Sequence, residues 1–226
     1  MVRVGVIGAG AVGLSSAVNI QKLIPHAKVT IIADKFGKDT TSNGAGGIFR
    51  PYLSHFSGLD EGIVRQWITD SWTYFKNLAI SADAQESGQT LVSGIVFYNT
   101  PQDRDYELMA KLTYDFRELP SEQLQKLNIN YKYGYTFTTV VTQTPKYLVW
   151  LMKKFQENGG TTQHKTVKSL SELYGEFDLV INCSGLGSRE LVNDSSVYPV
   201  RGQLVSVYAP WVKNFYLTED DVYLIP

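Results

Sequence analysis

The sequence predicts an α/β fold in which one domain, built on parallel strands, is interrupted by a second domain of mixed α+β character. Three observations predict it. A valine-rich run at 3–7 leads into Gly8-x-Gly10-x-x-Gly13 and then into apolar residues at helical spacing. A second βα stretch, 144–195, stands far from the first in sequence. Between them, 55–143 combines an amphipathic helix with strands rich in Thr and Val. The expected division assigns 1–54 and 144–195 to the interrupted domain. It assigns 55–143 and 196–226 to the other, whose last part is expected to be incomplete.

Each element has its own signal. Residues 3–7 read as a buried parallel strand. Leu14, Ala17, Val18, Leu23 and Ile24 follow a helical period, and Pro25-His26 end it. Residues 28–33 form the second strand and close at Asp34. The polar, glycine-rich stretch 40–47 is a loop. In 61–78, Val64, Trp67, Ile68, Trp72 and Phe75 line one helix face. Residues 90–98 and 134–143 read as strands. Thr144-Pro145 opens a helix with Thr as its cap, and Gly159-Gly160 ends it. Residues 177–183 read as a further buried strand, and 202–208 alternate like a half-buried one.

Composition narrows the function classes. The chain has 226 residues, 43% apolar and 19% charged, with net charge −1. Such a balance gives no basic surface for nucleic acid. The single cysteine, Cys183, excludes an intramolecular disulfide and reads as a small core residue. His26, His55 and His164 lack ligand spacing, so no metal site is expected. Glu219, Asp220 and Asp221 read as a solvated turn. No stretch has the length of a membrane span, and the N-terminus lacks the pattern of a signal peptide.

The glycine turn carries the chemistry. Gly8 permits the tight turn off the strand, Gly10 a close approach of pyrophosphate, and Gly13 close helix packing. The helix N-terminus offers free N–H groups to phosphates. Asp34, about 20 residues after the last glycine, is positioned to accept a ribose hydroxyl. A dinucleotide is the reading, with NADP the least fitting because a carboxylate repels a 2′-phosphate. The glycines alone do not separate FAD from NAD. The loop Thr40-Thr41-Ser42-Asn43-Gly44-Ala45-Gly46-Gly47 either wraps the ligand or is a solvated turn.

Several blocks, taken in order, resemble one family. They are 4–15 (VGVIGAGAVGLS), Asp34-Lys35-Phe36 with Thr40-Thr41-Ser42, Leu91-Val92-Ser93-Gly94 and Asp115-Phe116-Arg117. They continue with 182–189 (NCSGLGSR), Pro199-Val200-Arg201-Gly202-Gln203 and Ala209-Pro210-Trp211. The chain resembles the D-amino-acid oxidase and D-aspartate oxidase family along its whole length, and 182–189 with 199–203 resemble the aspartate branch most. The resemblance implies a Rossmann-like FAD-binding domain interrupted by a mixed α+β substrate domain, with FAD as cofactor. It implies that Gly8, Gly10, Val12, Gly13, Asp34 and Lys35 hold the ADP half. Thr40, Thr41, Ser42, Gly46, Gly47 and Ile48 would run along the diphosphate towards the flavin. Val167 would meet the adenine side, Ser184 and Gly185 would close on the cofactor, and Tyr223 would line the substrate pocket.

The implied reaction takes a hydride from the α-carbon of a D-amino acid to the flavin. The imino acid then hydrolyses to a 2-oxo acid and ammonia, and dioxygen returns as hydrogen peroxide. No protein side chain is then needed as acid, base or nucleophile. The family's α-carboxylate-binding arginine and its final glycine-rich segment fall beyond residue 226, so the chain is expected to be C-terminally truncated and inactive alone. Aspartate-branch enzymes carry a basic residue where Leu217 stands. Arg50, directly after the flavin loop, is the candidate reader of a distal carboxylate instead, with a surface arginine as the other reading. Two alternatives stay open: an inactive fragment that binds FAD or another subunit, and a related glycine- or sarcosine-type amine oxidase. The implied location is peroxisome or cytoplasm, with a homodimer left open.

Overall fold

The computed structural model describes residues 1–100, 104–220 and 222–226. In chain order these form β1 (Arg3–Ile7), α1 (Ala11–Leu23), β2 (Lys28–Ala33), α2 (Glu61–Ala79), α3 (Ala84–Ser87), β3 (Gln89–Tyr98), α4 (Arg104–Leu112) and β4 (Tyr114–Glu118). They continue with α5 (Ser121–Lys126), β5 (Tyr133–Thr142), α6 (Thr144–Glu157), β6 (Thr161–His164), β7 (Leu179–Asn182), α7 (Ser188–Leu191), β8 (Phe215–Thr218) and β9 (Tyr223–Leu224). The chain divides into two units, Met1–Ala45 with Gln143–Val205, and Gly46–Thr142 with Ser206–Pro226. The α/β class expected from the sequence is the one observed.

The first unit holds a parallel sheet in the order β6-β2-β1-β7. Parallel neighbours need crossover segments, and α1 supplies the one between β1 and β2. Val4, Val6, Ile31 and Ile32 are fully buried because β1 and β2 are the central strands. Each such side chain contributes about 1.5–3 kcal/mol on burial. α1 buries Gly13, Leu14, Ala17 and Val18 and packs on α6, which buries Tyr147, Leu148, Trp150, Leu151 and Phe155. Gln21 Nε2 on α1 donates to the Phe155 carbonyl at 3.0 Å.

Two expectations are corrected in this unit. Residues 177–183 read as a buried strand, yet β7 is an edge of the described sheet, and Leu179 is exposed. An apolar run marks the strand but not its position in the sheet. Thr144 is not the cap of α6. Gln143 holds that position, and the Thr144 hydroxyl donates to the carbonyls of Asn43 and Ala45 at 3.2 and 3.3 Å.

The second unit holds a mixed sheet in the order β4-β5-β3-β8-β9. β3 and β5 pair antiparallel over ten residues each, and β3 pairs β8 in parallel. Val92, Val96, Tyr98, Tyr135, Phe137, Val141, Phe215 and Leu217 form its buried core, with Met109 of α4. Gly94 is required there, because a Cβ would stand 2.3 Å from the Phe215 ring. α2 opens on Asp60, whose carboxylate accepts the Ile63 N–H at 3.0 Å. Val64, Ile68 and Trp72 are its buried residues, whereas Trp67 is exposed, so the expected face is narrower than the apolar pattern suggested.

Residues 202–208, expected as a strand, form none. Val205, Val207 and Tyr208 are exposed, and no described strand pairs with them. Alternation supplies a face, but a strand also needs a ladder partner. No helix among the described residues is long and apolar enough to cross a membrane.

Candidate functional site

In the first unit the glycine turn lies at the carboxyl ends of β1, β2 and β7. Gly8 N–H donates to the Ile32 carbonyl and Cys183 N–H to the Ile7 carbonyl, both at 2.9 Å. The three glycines are required for different reasons. Gly8 has φ +105°, and a Cβ there would stand 2.3 Å from the Cys183 carbonyl oxygen. At Gly13 a Cβ would lie 1.9 Å from the Gly8 oxygen, so a side chain would push α1 off the strand. At Gly10 a Cβ would meet Ser42 Oγ at 2.9 Å. Cys183, expected in the core, is half-buried beside Gly13, and burial raises its thiol pKa.

The N-terminus of α1 has neither a side-chain cap on Gly10 nor an acidic residue in its first turn. Ala11 N–H donates to Ser42 Oγ at 3.0 Å. The N–H groups of Val12 and Gly13 have no intrahelical partner by position, and Val12 is 68% exposed. That leaves a positive helix end bare of carboxylate, which fits a diphosphate.

The loop that supplies Ser42 is tied at both ends. Thr40 Oγ1 donates to the Gly37 carbonyl at 2.7 Å, and the Thr144 hydroxyl holds Asn43 and Ala45. Thr41 is exposed between them. Asp34 and Lys35 follow β2 directly and are both exposed. Phe36 stacks on His164 at 5.9 Å, and Lys165 N–H donates to the Ala33 carbonyl at 3.0 Å. Val167, two residues on, packs partly buried against Ile7, Ile32 and Leu173.

After β7, Ser184 donates through both its N–H and its hydroxyl to Asn182 Oδ1, at 3.1 and 2.7 Å. Gly185 then takes φ +54° with open space around it. Asn182 and Thr144 were missed as site-building residues. The signal for Asn182 is an Asn two residues before a Ser at a strand end, the pattern of an Asx turn. Nothing local marks Thr144, because its partners lie about a hundred residues away.

In the second unit, Gly46 to Arg50 runs beside β5. Gly47 has φ +70°, and a Cβ would stand 2.0 Å from the Thr142 carbonyl oxygen. Ile48 bridges Val141, Phe49 N–H donates to the Val140 carbonyl at 2.9 Å, and the Thr139 hydroxyl donates to the Phe49 carbonyl at 2.8 Å. A Cβ on Gly46 would meet Ile225 at 3.1 Å and Tyr223 at 3.8 Å.

Arg50 is half-buried, with its guanidinium 4.4 Å from the Tyr52 ring centre, and it donates to the Tyr98 hydroxyl. Tyr98 and Tyr135 join hydroxyls at 2.7 Å. Arg50 is thus held between Tyr52 and Tyr98. Tyr223 pairs Leu217, Leu217 pairs Val96, and Val96 pairs Tyr135 across the sheet. Paired residues point to one face, so Tyr223 shares a face with the Tyr98–Tyr135 pair that holds Arg50. Of the acidic turn, Glu219 accepts the Asn99 N–H at 2.9 Å and Asp220 accepts from the Tyr131 hydroxyl at 3.1 Å. Asp221 lies outside the described residues.

Residues 3–226 match the family model described as FAD dependent oxidoreductase, DAO. The chain is 41% identical to human D-aspartate oxidase, covering 94% of this chain and 62% of that protein. It is 33% identical to the D-amino acid oxidase of Dugesia ryukyuensis, covering 99% of this chain and 66% of that one. The chain thus spans less than two thirds of these relatives' length. Glycine oxidase from Geobacillus kaustophilus shares the fold at TM-score 0.70 and 15% identity, over 100% of this chain and 69% of that one. With the family match running from β1 to the last residue, the chain belongs to the FAD dependent oxidoreductase (DAO) family.

Proposed function

We propose that this chain carries the cofactor-binding region and part of the substrate face of an FAD-dependent oxidase of D-amino acids, with acidic ones such as D-aspartate as its preferred class. The observation that carries the reading is the glycine turn beneath a helix end bare of carboxylate, where side chains on Gly8 and Gly13 would strike backbone. The 41% identity to a D-aspartate oxidase supports the substrate class.

On this reading the first unit is the FAD-binding domain and the second the substrate domain. Gly8, Gly10, Val12, Gly13, Thr40, Thr41 and Ser42 receive the diphosphate. Asp34 and Lys35 take the ribose side and Val167 the adenine side, with Ser184 and Gly185 closing the turn. Gly46, Gly47 and Ile48 line the approach of the flavin ring, and Tyr223 lines the substrate pocket. FAD, when bound, would supply the hydride acceptor for the substrate α-carbon, with dioxygen as the final oxidant and hydrogen peroxide as its product. The chain's own residues bind and orient. Backbone N–H groups neutralise phosphate charge, and Arg50 offers its guanidinium to a distal carboxylate. Water then hydrolyses the released imino acid to a 2-oxo acid and ammonia.

The test is the visible spectrum of the FAD-supplemented protein under anaerobic addition of D-aspartate and of D-alanine. Flavin bands are expected on adding FAD, and any bleaching, against the inactivity expected of the isolated chain, should be faster with D-aspartate than with D-alanine. A protein that gains no flavin bands with added FAD would sink the reading.

A further inference from the structure

Arg50 is held in an unusual way for a half-buried cation. Among the described residues it makes no ion pair. Its partners are the neutral hydroxyl of Tyr98 and the face of the Tyr52 ring. Tyr98 is 5% exposed and is itself anchored, through its hydroxyl to Tyr135 and by ring stacking on Tyr135 at 5.4 Å.

A carboxylate in the place of Tyr98 would orient Arg50 equally well but would cancel its charge. A phenol orients it and leaves the charge for a ligand. Arginine carries five N–H donors in a planar fork, and Tyr98 engages one end of it. The rest remains for an anion.

Resting on the reading of Arg50 as the distal-carboxylate group, we propose that Tyr98 is a positioning residue. Its buried hydroxyl, braced by Tyr135, aims the Arg50 guanidinium at the second carboxylate of a dicarboxylic ligand and so sets the preference for acidic substrates. Burial, with Tyr135 adding to it, pushes the Tyr98 phenol above its ordinary value against the pull of Arg50. The phenol therefore stays neutral across the physiological range.

The experiment measures the dissociation constants of succinate and propionate by calorimetry on the FAD-supplemented chain, so that binding is read apart from turnover. Wild type is expected to bind succinate more tightly than propionate. Tyr98→Phe, which keeps the ring, should weaken succinate roughly tenfold, as for one lost hydrogen bond to a charged group, and leave propionate unchanged. Arg50→Ala should erase the difference between the two acids.

A succinate constant unmoved by Tyr98→Phe but moved by Arg50→Ala overturns the positioning role and leaves the Arg50 reading standing. No succinate preference in wild type, or none lost in Arg50→Ala, overturns both. Selective loss in both variants, in a protein that gains no flavin bands with added FAD, keeps this proposal and ends the oxidase reading. Should Tyr98→Phe unfold, nitrogen-15 NMR of the wild-type arginine side chains decides. Restricted rotation of the Arg50 guanidinium is expected, and free rotation overturns the proposal.

Discussion

The hydroxyl of Ser42 accepts the N–H of Ala11 at 3.0 Å, so the first turn of α1 is capped by a loop residue 31 positions further along the chain. The same Ser42 oxygen is the nearest atom to the space a Gly10 side chain would fill. One contact therefore ties the loop after β2 to the helix end proposed to face the diphosphate.

Ser42→Ala should cost about 1 kcal/mol of stability, the usual effect of removing a helix cap. FAD should also bind more weakly, because the loop loses its anchor. Thermal unfolding with and without FAD measures both. An unchanged melting temperature in both states would count against Ser42 as a cap.

Gly8→Ala should be far more damaging than Gly44→Ala. The added Cβ at Gly8 stands 2.3 Å from a backbone oxygen at φ +105°, whereas nothing lies within 4 Å at Gly44. Strain of that kind costs of the order of 1–3 kcal/mol before any clash is counted. Chemical denaturation of the two variants, followed by an FAD titration, should rank Gly8→Ala well below Gly44→Ala on both scales.

Gly47→Ala should release the segment that carries Arg50 from β5. A Cβ there would stand 2.0 Å from the Thr142 carbonyl at φ +70°, and Thr142 N–H donates to the Gly47 carbonyl at 2.8 Å. Faster amide exchange at Phe49 and Thr142, relative to wild type, is the expected signature. Protection that stays at the wild-type level would show that the segment holds without this glycine.

The pair Arg3–Asp178, 2.8 Å apart, predicts a pH effect. The Arg3 guanidinium, donating to Asp178, holds that carboxyl at about 2, below its ordinary 3.8. The folded chain thus binds this proton less tightly than the unfolded chain does. The pair's contribution is complete above the ordinary carboxylate range and is lost as pH falls through about 2. Arg3→Ala should return the Asp178 titration towards 3.8, as read by carboxyl carbon-13 NMR. Both partners are nearly half exposed, so the change in stability at neutral pH should be small.

Much of the first unit was legible because its signals are local. Gly8 needs a positive φ, Gly13 a missing Cβ, and β1 and β2 their branched apolar residues. Each of these is a property of residue type at one position. The second unit was legible as elements and not as a site. Tyr133 and Tyr135 stand two apart on one face of β5, yet Tyr133 is exposed at the strand's start while Tyr135 is buried. Trp67 misled because an apolar residue near a helix stripe carries no record of which side meets the core.

The sequence by itself determined the order strand, glycine turn, helix, strand and acid from Arg3 to Asp34, since short-range sterics and periodicity dictate it. Only the tertiary structure decided that Ser42 caps α1, that Thr144 holds the loop rather than its own helix, and that Arg50 rests on Tyr98. It also decided that 202–208 form no strand despite their alternation. The reason is physical. A hydroxyl, a guanidinium or a strand edge is specified by its residue type, but its partner is chosen by packing that brings together positions tens to hundreds of residues apart.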